Sequence, residues 1–221
     1  TSARYGIGAL ASSTRGVFAG NGSPKEIIDY IEIATTGNAS DFGNLSVARQ
    51  AIGGGGSTTR GVFSQGFAVP GPVNNVIDFI TIASVGNATD FGDSSVSRRS
   101  STAASSSTRM VIGGGITPSL SGVIDYITIS STGNATDFGD LSSARYEMGA
   151  ASNDTRAVFS AGIASAAVNN VIDFITIAST GNAADFGDMS SSRSQFGNAA
   201  SNGHGGLSTT DFAQNYFSLG T

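Results

Sequence analysis

The triplet Asp-Phe-Gly stands four times in this chain, at Asp41-Phe42-Gly43, Asp90-Phe91-Gly92, Asp137-Phe138-Gly139 and Asp185-Phe186-Gly187. Such a carboxylate can hold magnesium for phosphoryl transfer. That chemistry also needs a glycine-rich phosphate loop and a catalytic loop, and neither accompanies any copy. Asn134, Asp137 and Asp140, echoed elsewhere, offer the hard oxygens that calcium takes. The same residue types suit turns, and no metal or cofactor is expected. Nucleophilic chemistry has little to draw on: there is no cysteine and one histidine, His204. A radical copper site would need Cys, Tyr and paired His. Asn87-Ala88-Thr89 and Asn134-Ala135-Thr136 match the glycosylation pattern but fall at a recurring turn.

The recurrence itself is the strongest signal. Each copy reads Ile-Asp-aromatic, Gly-Asn, Asp-Phe-Gly, then a Ser-rich run to Arg: Ile28 to Arg49, Ile77 to Arg98, Ile124 to Arg145 and Ile172 to Arg193. The aspartates Asp29, Asp78, Asp125 and Asp173 are 49, 47 and 48 residues apart, the period of a repeated supersecondary unit. Four extended runs fit within one period. A small-residue run follows the Arg, a Val-Phe type run follows Thr-Arg, then come the alternating Ile-Asp-Tyr-Ile-Glu-Ile type and the run through Asp-Phe-Gly. Gly37-Asn38, Gly86-Asn87, Gly133-Asn134 and Gly181-Asn182 are expected to form the tight hairpin between third and fourth strands. No 3.6-residue amphipathic period appears, so helix should be nearly absent.

Such meanders have two apolar faces, and stacking them around an axis buries both. The Gly, Ala and Ser of the first strand suit the crowded axis. Repeats run from about 4 to 49, 49 to 98, 98 to 145 and 145 to 193, and a fifth begins at Arg193. Its last eight residues, 214–221, match the third strand at 28–35, while Thr1-Ser2-Ala3-Arg4 reads as the tail of a fourth strand. The expected fold is all-β: a single five-bladed β-propeller of four-stranded antiparallel blades, closed by its N- and C-terminal segments.

Charge follows the repeat. Of the 11 basic residues, all but Lys25 and Arg99 hold repeat positions. Rings of Arg49, Arg98, Arg145 and Arg193 against Asp29, Asp78, Asp125 and Asp173 are expected, Arg being suited by its planar fork to carboxylate. Net charge is −5, so a nucleic-acid groove is not expected. No run approaches the ~20 apolar residues of a membrane helix. No basic-then-apolar leader precedes Thr1, and the numbered chain shows no initiating Met, which leaves natural and trimmed ends both open.

Arg before a small-residue strand, Val-Phe with nearby Gly, Asp-Tyr in the third strand and an aromatic in the fourth resemble the kelch repeat across essentially the whole chain. The diglycine of that family is clear only at Gly113-Gly114-Gly115, and its strand-four Trp stands here as Phe42, Phe91, Phe138 and Phe186. The phrase at 132–141, followed by Ser142-Ser143-Ala144-Arg145, is similar to kelch-like arrays in virion structural proteins of bacteriophages, especially marine cyanophages. The resemblance implies a non-enzymatic virion component of a head, tail or fibre that binds other virion proteins or itself.

Specificity must come from where copies differ. The loops between second and third strands vary most and hold all four prolines: Pro24 and Lys25, then Phe67, Pro70 and Pro72, then Pro118 and Leu120, then 163–167. Exposed Phe67, Val69 and Leu120 would suit protein contact. The alternative is a module binding a host receptor or glycan on a virion or cell surface, with small polar loops as hydrogen-bonding groups. The absence of Trp weighs against a sugar-stacking site.

Overall fold

A computed structural model describes residues 3–21, 26–68, 70–165 and 167–194. Among these the protein is all-β without a helix, built of four antiparallel sheets of four or five strands in a propeller-like arrangement. Sheet one is the meander Gly8–Ala11, Arg15–Ala19, Ile27–Glu32 and Ser40–Asn44. Sheet two comprises Gly53–Gly56, Arg60–Ala68, Val73–Thr81 and Thr89–Asp93, with the short Arg49–Gln50 also on its second strand. Sheet three holds Thr102–Ser105, Arg109–Gly113, Val123–Thr128 and Thr136–Asp140. Sheet four holds Gly149–Ser152, Arg156–Ser160, Ala167–Thr176 and Ala184–Arg193, plus Ile163–Ala164.

The period-2 alternation explains why three cores lie between sheets. In sheet three, Val111, Ile124 and Phe138 point forward and pack with Phe159, Ile175 and Ile177 of sheet four. Their strand neighbours Met110, Ile112 and Ile127 point back, onto Val62, Ile77 and Phe91 of sheet two. Sheets one and two meet through Val17, Ile28, Phe42, Ile80 and Ile82 in the same manner. The small-residue first strands pack on one another in succession. Their composition is a steric requirement: a Cβ on Gly54 would lie 2.5 Å from the Ala9 carbonyl oxygen.

Asp-Phe-Gly is a β-bulge. In all four sheets the register slips between the Ile and Asp of the third strand, leaving the Phe as the extra residue opposite them. The Asp carboxylate bends back to accept the Gly amide at 3.2 Å for Asp41 and Asp90 and 3.0 Å for Asp185. The bulge turns Phe42, Phe91 and Phe138 into the inter-sheet cores, where each meets the third-strand aromatic edge-on at 5.8–5.9 Å.

The Gly-Asn pair is not the hairpin turn that the sequence suggests. The chain reverses earlier, where Thr35, Ser84, Ser131 and Ser179 donate to the carbonyls of Glu32, Thr81, Thr128 and Thr176. Gly-Asn instead runs onto the preceding sheet. The Gly86 amide donates to the Phe42 carbonyl at 2.7 Å and Ala88 to Asn44 at 2.8 Å, with the same bonds at Gly133 and Gly181.

Candidate functional site: the inter-sheet braces and the variable loops

Buried charges in these sheets act as braces. Arg49–Asp78, Arg98–Asp125 and Arg145–Asp173 form ion pairs at 2.9, 2.9 and 3.0 Å, and every side chain in them is fully buried. Arg4 pairs with Asp29 in the first sheet. In each case the Arg precedes the first strand and the Asp lies on the third strand of the same sheet. A third group comes from the preceding sheet. Ser46 bonds Asp78 through its hydroxyl at 2.6 Å and its amide at 3.0 Å, and Ser95 bonds Asp125 at 2.5 and 3.3 Å. The Ser142 amide does the same for Asp173 at 3.0 Å. The Ser-x-x-Arg phrase is thus a clip whose two ends grip one carboxylate.

Arg98 is the most fully bonded of these cations. Its Nε donates to Gln65 Oε1 at 3.2 Å, its Nη1 to the Val123 carbonyl at 2.9 Å, and its Nη2 to the Ile112 carbonyl at 3.0 Å and Asp125 Oδ2. Burial lowers the proton affinity of Arg98 below that of an ordinary guanidinium, and the Asp125 charge opposes that fall. Arg49 is lowered by burial in the same way, with Asp78 opposing through its charge and hydrogen bond.

A second set of arginines braces neighbouring sheets from outside. Arg15, Arg60, Arg109 and Arg156 stack over Tyr30, Phe79, Tyr126 and Phe174 at 4.4–4.6 Å. From there Arg15, Arg60 and Arg109 reach the next sheet, donating to the carbonyls of Ile82, Ile129 and Ile177 at 2.9, 2.8 and 3.0 Å. Glycine completes each junction. A Cβ on Gly92, at φ +141°, would lie 2.5 Å from the Gly133 carbonyl group, and Gly43 and Gly139 face Gly86 and Gly181 as closely. The Asn side chain then accepts an amide: Asn87 from Asn44 at 3.1 Å, Asn134 from Asp93 at 3.0 Å and Asn182 from Asp140 at 3.1 Å. This engagement accounts for Asn134, which the sequence offered as a calcium donor. Among the described residues no three His, Cys, Asp or Glu side chains gather as a metal site.

Arg193 stands apart from the other ring positions. It is exposed, its guanidinium meets Ser191 Oγ at 3.1 and 3.2 Å, and among the described residues it has no carboxylate partner. Its carbonyl nonetheless accepts the Gly162 amide, as the Arg49, Arg98 and Arg145 carbonyls accept Asn21, Gly66 and Gly115. A backbone chain links the same region, from Ala51 to Gly6, Ser100 to Ala51 and Glu147 to Ser100. The donors hold left-handed φ of 55–56°, a local cost that the linkage sustains.

The variable loops between second and third strands extend from this Arg end of each sheet. Pro70, Pro72 and Pro118 are exposed there. Phe67 and Leu120 are half-buried rather than exposed, because each is held in a strand pair, Phe67 with Val73 and Leu120 with Ile116. Pro24, Lys25 and Val69 lie outside the described residues, as does His204. Among the described residues, the large apolar side chains most open to solvent lie outside these loops, at Tyr5, Ile33, Val85 and Phe186.

These features define a class: an all-β, propeller-like repeat protein whose recurring charged residues tie sheet to sheet. No protein-family model and no curated protein matches the chain.

Proposed function

We propose that this chain is a non-enzymatic structural protein of a bacteriophage virion, a kelch-like five-bladed propeller on the particle surface that binds neighbouring virion proteins or itself. The observation that carries the reading is the division of labour among residues. Recurring Arg, Asp, Asn and Gly are spent on bracing sheets, while variation collects in the loops at one end, where Pro70, Pro72 and Pro118 are exposed. A fixed frame with a variable end suits assembly through protein contact. Neither a cofactor nor nucleic acid has a role in it, and the protein inserts in no membrane.

Closure by a fifth unit, residues 193–221 completed by 1–4, is supported by two unmatched ends. Phe186 is 54% exposed where Phe42, Phe91 and Phe138 are each 3%. At the other end Ile33 is 52% exposed where Ile82, Ile129 and Ile177 are 1–2%. A fifth blade between these faces would bury both. Electron cryomicroscopy of the source particle tests the function: the proposal requires density for the propeller with its variable loops against a neighbouring subunit. Loops free in solvent, together with saturable binding to a glycan array, would replace it with host-surface adhesion.

A further inference from the structure

One arginine among the described residues takes no part in the bracing: the Arg99 side chain is exposed and makes no hydrogen bond, ion pair or ring contact. Its backbone is held. The Arg99 amide donates to the Ile116 carbonyl at 3.2 Å and its carbonyl accepts the Ile116 amide at 3.0 Å, so a free guanidinium stands on a fixed stem. Arg99 directly follows the brace Arg98, and the residues that follow the other buried braces are Tyr5, Gln50 and Tyr146. The backbone chain from Gly6 through Ala51 and Ser100 to Glu147, bonded at 2.7, 3.0 and 3.1 Å, draws these four positions into one row at the Arg end of the sheets. Gly6, Ala51 and Ser100 are small, and they leave Arg99 open between Gln50 and Tyr146. Three members of the row pair antiparallel with the first arm of a variable loop: Gln50 with Phe67, Arg99 with Ile116 and Tyr146 with Ile163. Opposed residues of such a pair share a face, so half-buried apolar side chains flank the cation. Glu147 leaves it uncompensated, because the two form no ion pair and one Glu147 carboxylate oxygen is enclosed.

We infer that this face docks an acidic segment of a neighbouring protein, whose carboxylate pairs with Arg99 while its apolar flanks lie on Tyr146 and the loop arms. Charge selects the occupant. Arg99 is an unpartnered cation on a chain of net charge −5, and a carboxylate supplied from outside is the group it lacks. The planar fork of Arg takes such a group bidentately. Tyrosine and arginine are also the side chains that carry most binding energy once a contact desolvates them, and the apolar neighbours exclude water from the pair. That the neighbour is a virion protein rests on the function proposed above; the chemistry of the face rests on the residues of the row.

A display library of random linear peptides, selected on the 221-residue chain and read by sequencing, tests the proposal. Enrichment of Asp and Glu beside apolar residues is expected. The strongest peptide should bind saturably in calorimetry and weaken with added salt. It should weaken at least about tenfold when its acidic residue is changed to the amide, or when the protein carries Arg99→Ala. Arg99→Glu should turn the selection toward Lys and Arg. The Arg99 side chain touches nothing, so both variants should keep the urea midpoint of the parent. Tyr5→Ser, at a side chain 70% exposed, should weaken the same peptide without loss of stability. No enrichment, selection of peptides lacking an acidic residue, or equal selection by the parent and Arg99→Ala overturns the proposal. Self-association of the parent that Arg99→Glu abolishes also overturns it, because a second copy then fills the face, and so does Arg99-dependent binding to anionic glycans alone. Electron cryomicroscopy of the source particle reads the virion assignment separately: a particle without this protein refutes that assignment, while the charge reversal of the peptide selection still decides the docking face.

Discussion

Removing Asp125 should cost more stability than removing any exposed charge, and the structure says why. Arg98 and Asp125 are both fully buried at 2.9 Å, and Asp125 also holds the Ser95 hydroxyl and amide from the preceding sheet. Asp125→Ala leaves a buried guanidinium without its counter-charge and strands the Ser95 donors. Breaking a buried pair from one side costs about 3–5 kcal/mol. For a chain of this length each kcal/mol moves the melting temperature about 2–4 °C, so the expected drop is on the order of 6–20 °C. Asp125→Asn keeps the shape and one acceptor and should lose about 1.5–3 kcal/mol, the worth of a hydrogen bond to a charged group. Arg98→Met with Asp125→Leu should recover most of the loss, because an apolar pair has no charge to strand. The internal control is Glu32→Ala. Arg15–Glu32 is also short, at 2.7 Å, but its side chains are 18% and 45% exposed, and exposed pairs contribute about 0–1 kcal/mol. Urea unfolding with a fitted slope, supported by thermal melts, measures all four variants. An Asp125→Ala loss no larger than that of Glu32→Ala would refute the bracing role of the pair.

Gly92→Ala should destabilise by well over about 1 kcal/mol, since the new Cβ meets the Gly133 carbonyl at 2.5 Å on top of its strained φ. Gly187→Ala, with a similar φ but nothing within 4 Å, should cost only the backbone strain, and equal urea midpoints would sink the contact argument. Phe91→Ala should lose about 3–5 kcal/mol as a core truncation. If a fifth unit covers sheet four, Phe186→Ala should approach that loss, whereas a loss below about 1 kcal/mol would deny the closure. Arg60→Ala should cost about 1–2 kcal/mol through its stacking on Phe79 and its bond to the Ile129 carbonyl, with Arg60→Lys recovering part of it in thermal melts.

Spacing in the chain was enough to read the β class, the absence of helix among the described residues, and sheets of four short strands. Those features follow from alternation and turn chemistry that act over a few residues, as in Ile124-Asp125-Tyr126-Ile127. The recurrence of Arg and Asp marked them as structural partners of some kind. Three matters depended on neighbours distant in sequence. The Gly-Asn pair looked like a hairpin turn, yet it is occupied by the preceding sheet, because the reversal had already been made at residues such as 32–35. Ser46 and Ser95 carried no individual signal within a Ser-rich run; only stacking brings them 32 and 30 positions away from their carboxylates' place in the chain to within bonding distance. Phe67 and Leu120 looked like exposed loop residues until strand pairing covered them.

Local pattern therefore determined which strands form and which residue types recur, since period-2 burial and turn preferences are written in adjacent residues. Tertiary structure alone decided what each recurring residue holds. An Asp finds its Arg only when the strands of one sheet assemble and its Ser only when two sheets stack, and the Gly of each bulge shows its necessity only where the next sheet's backbone presses against it.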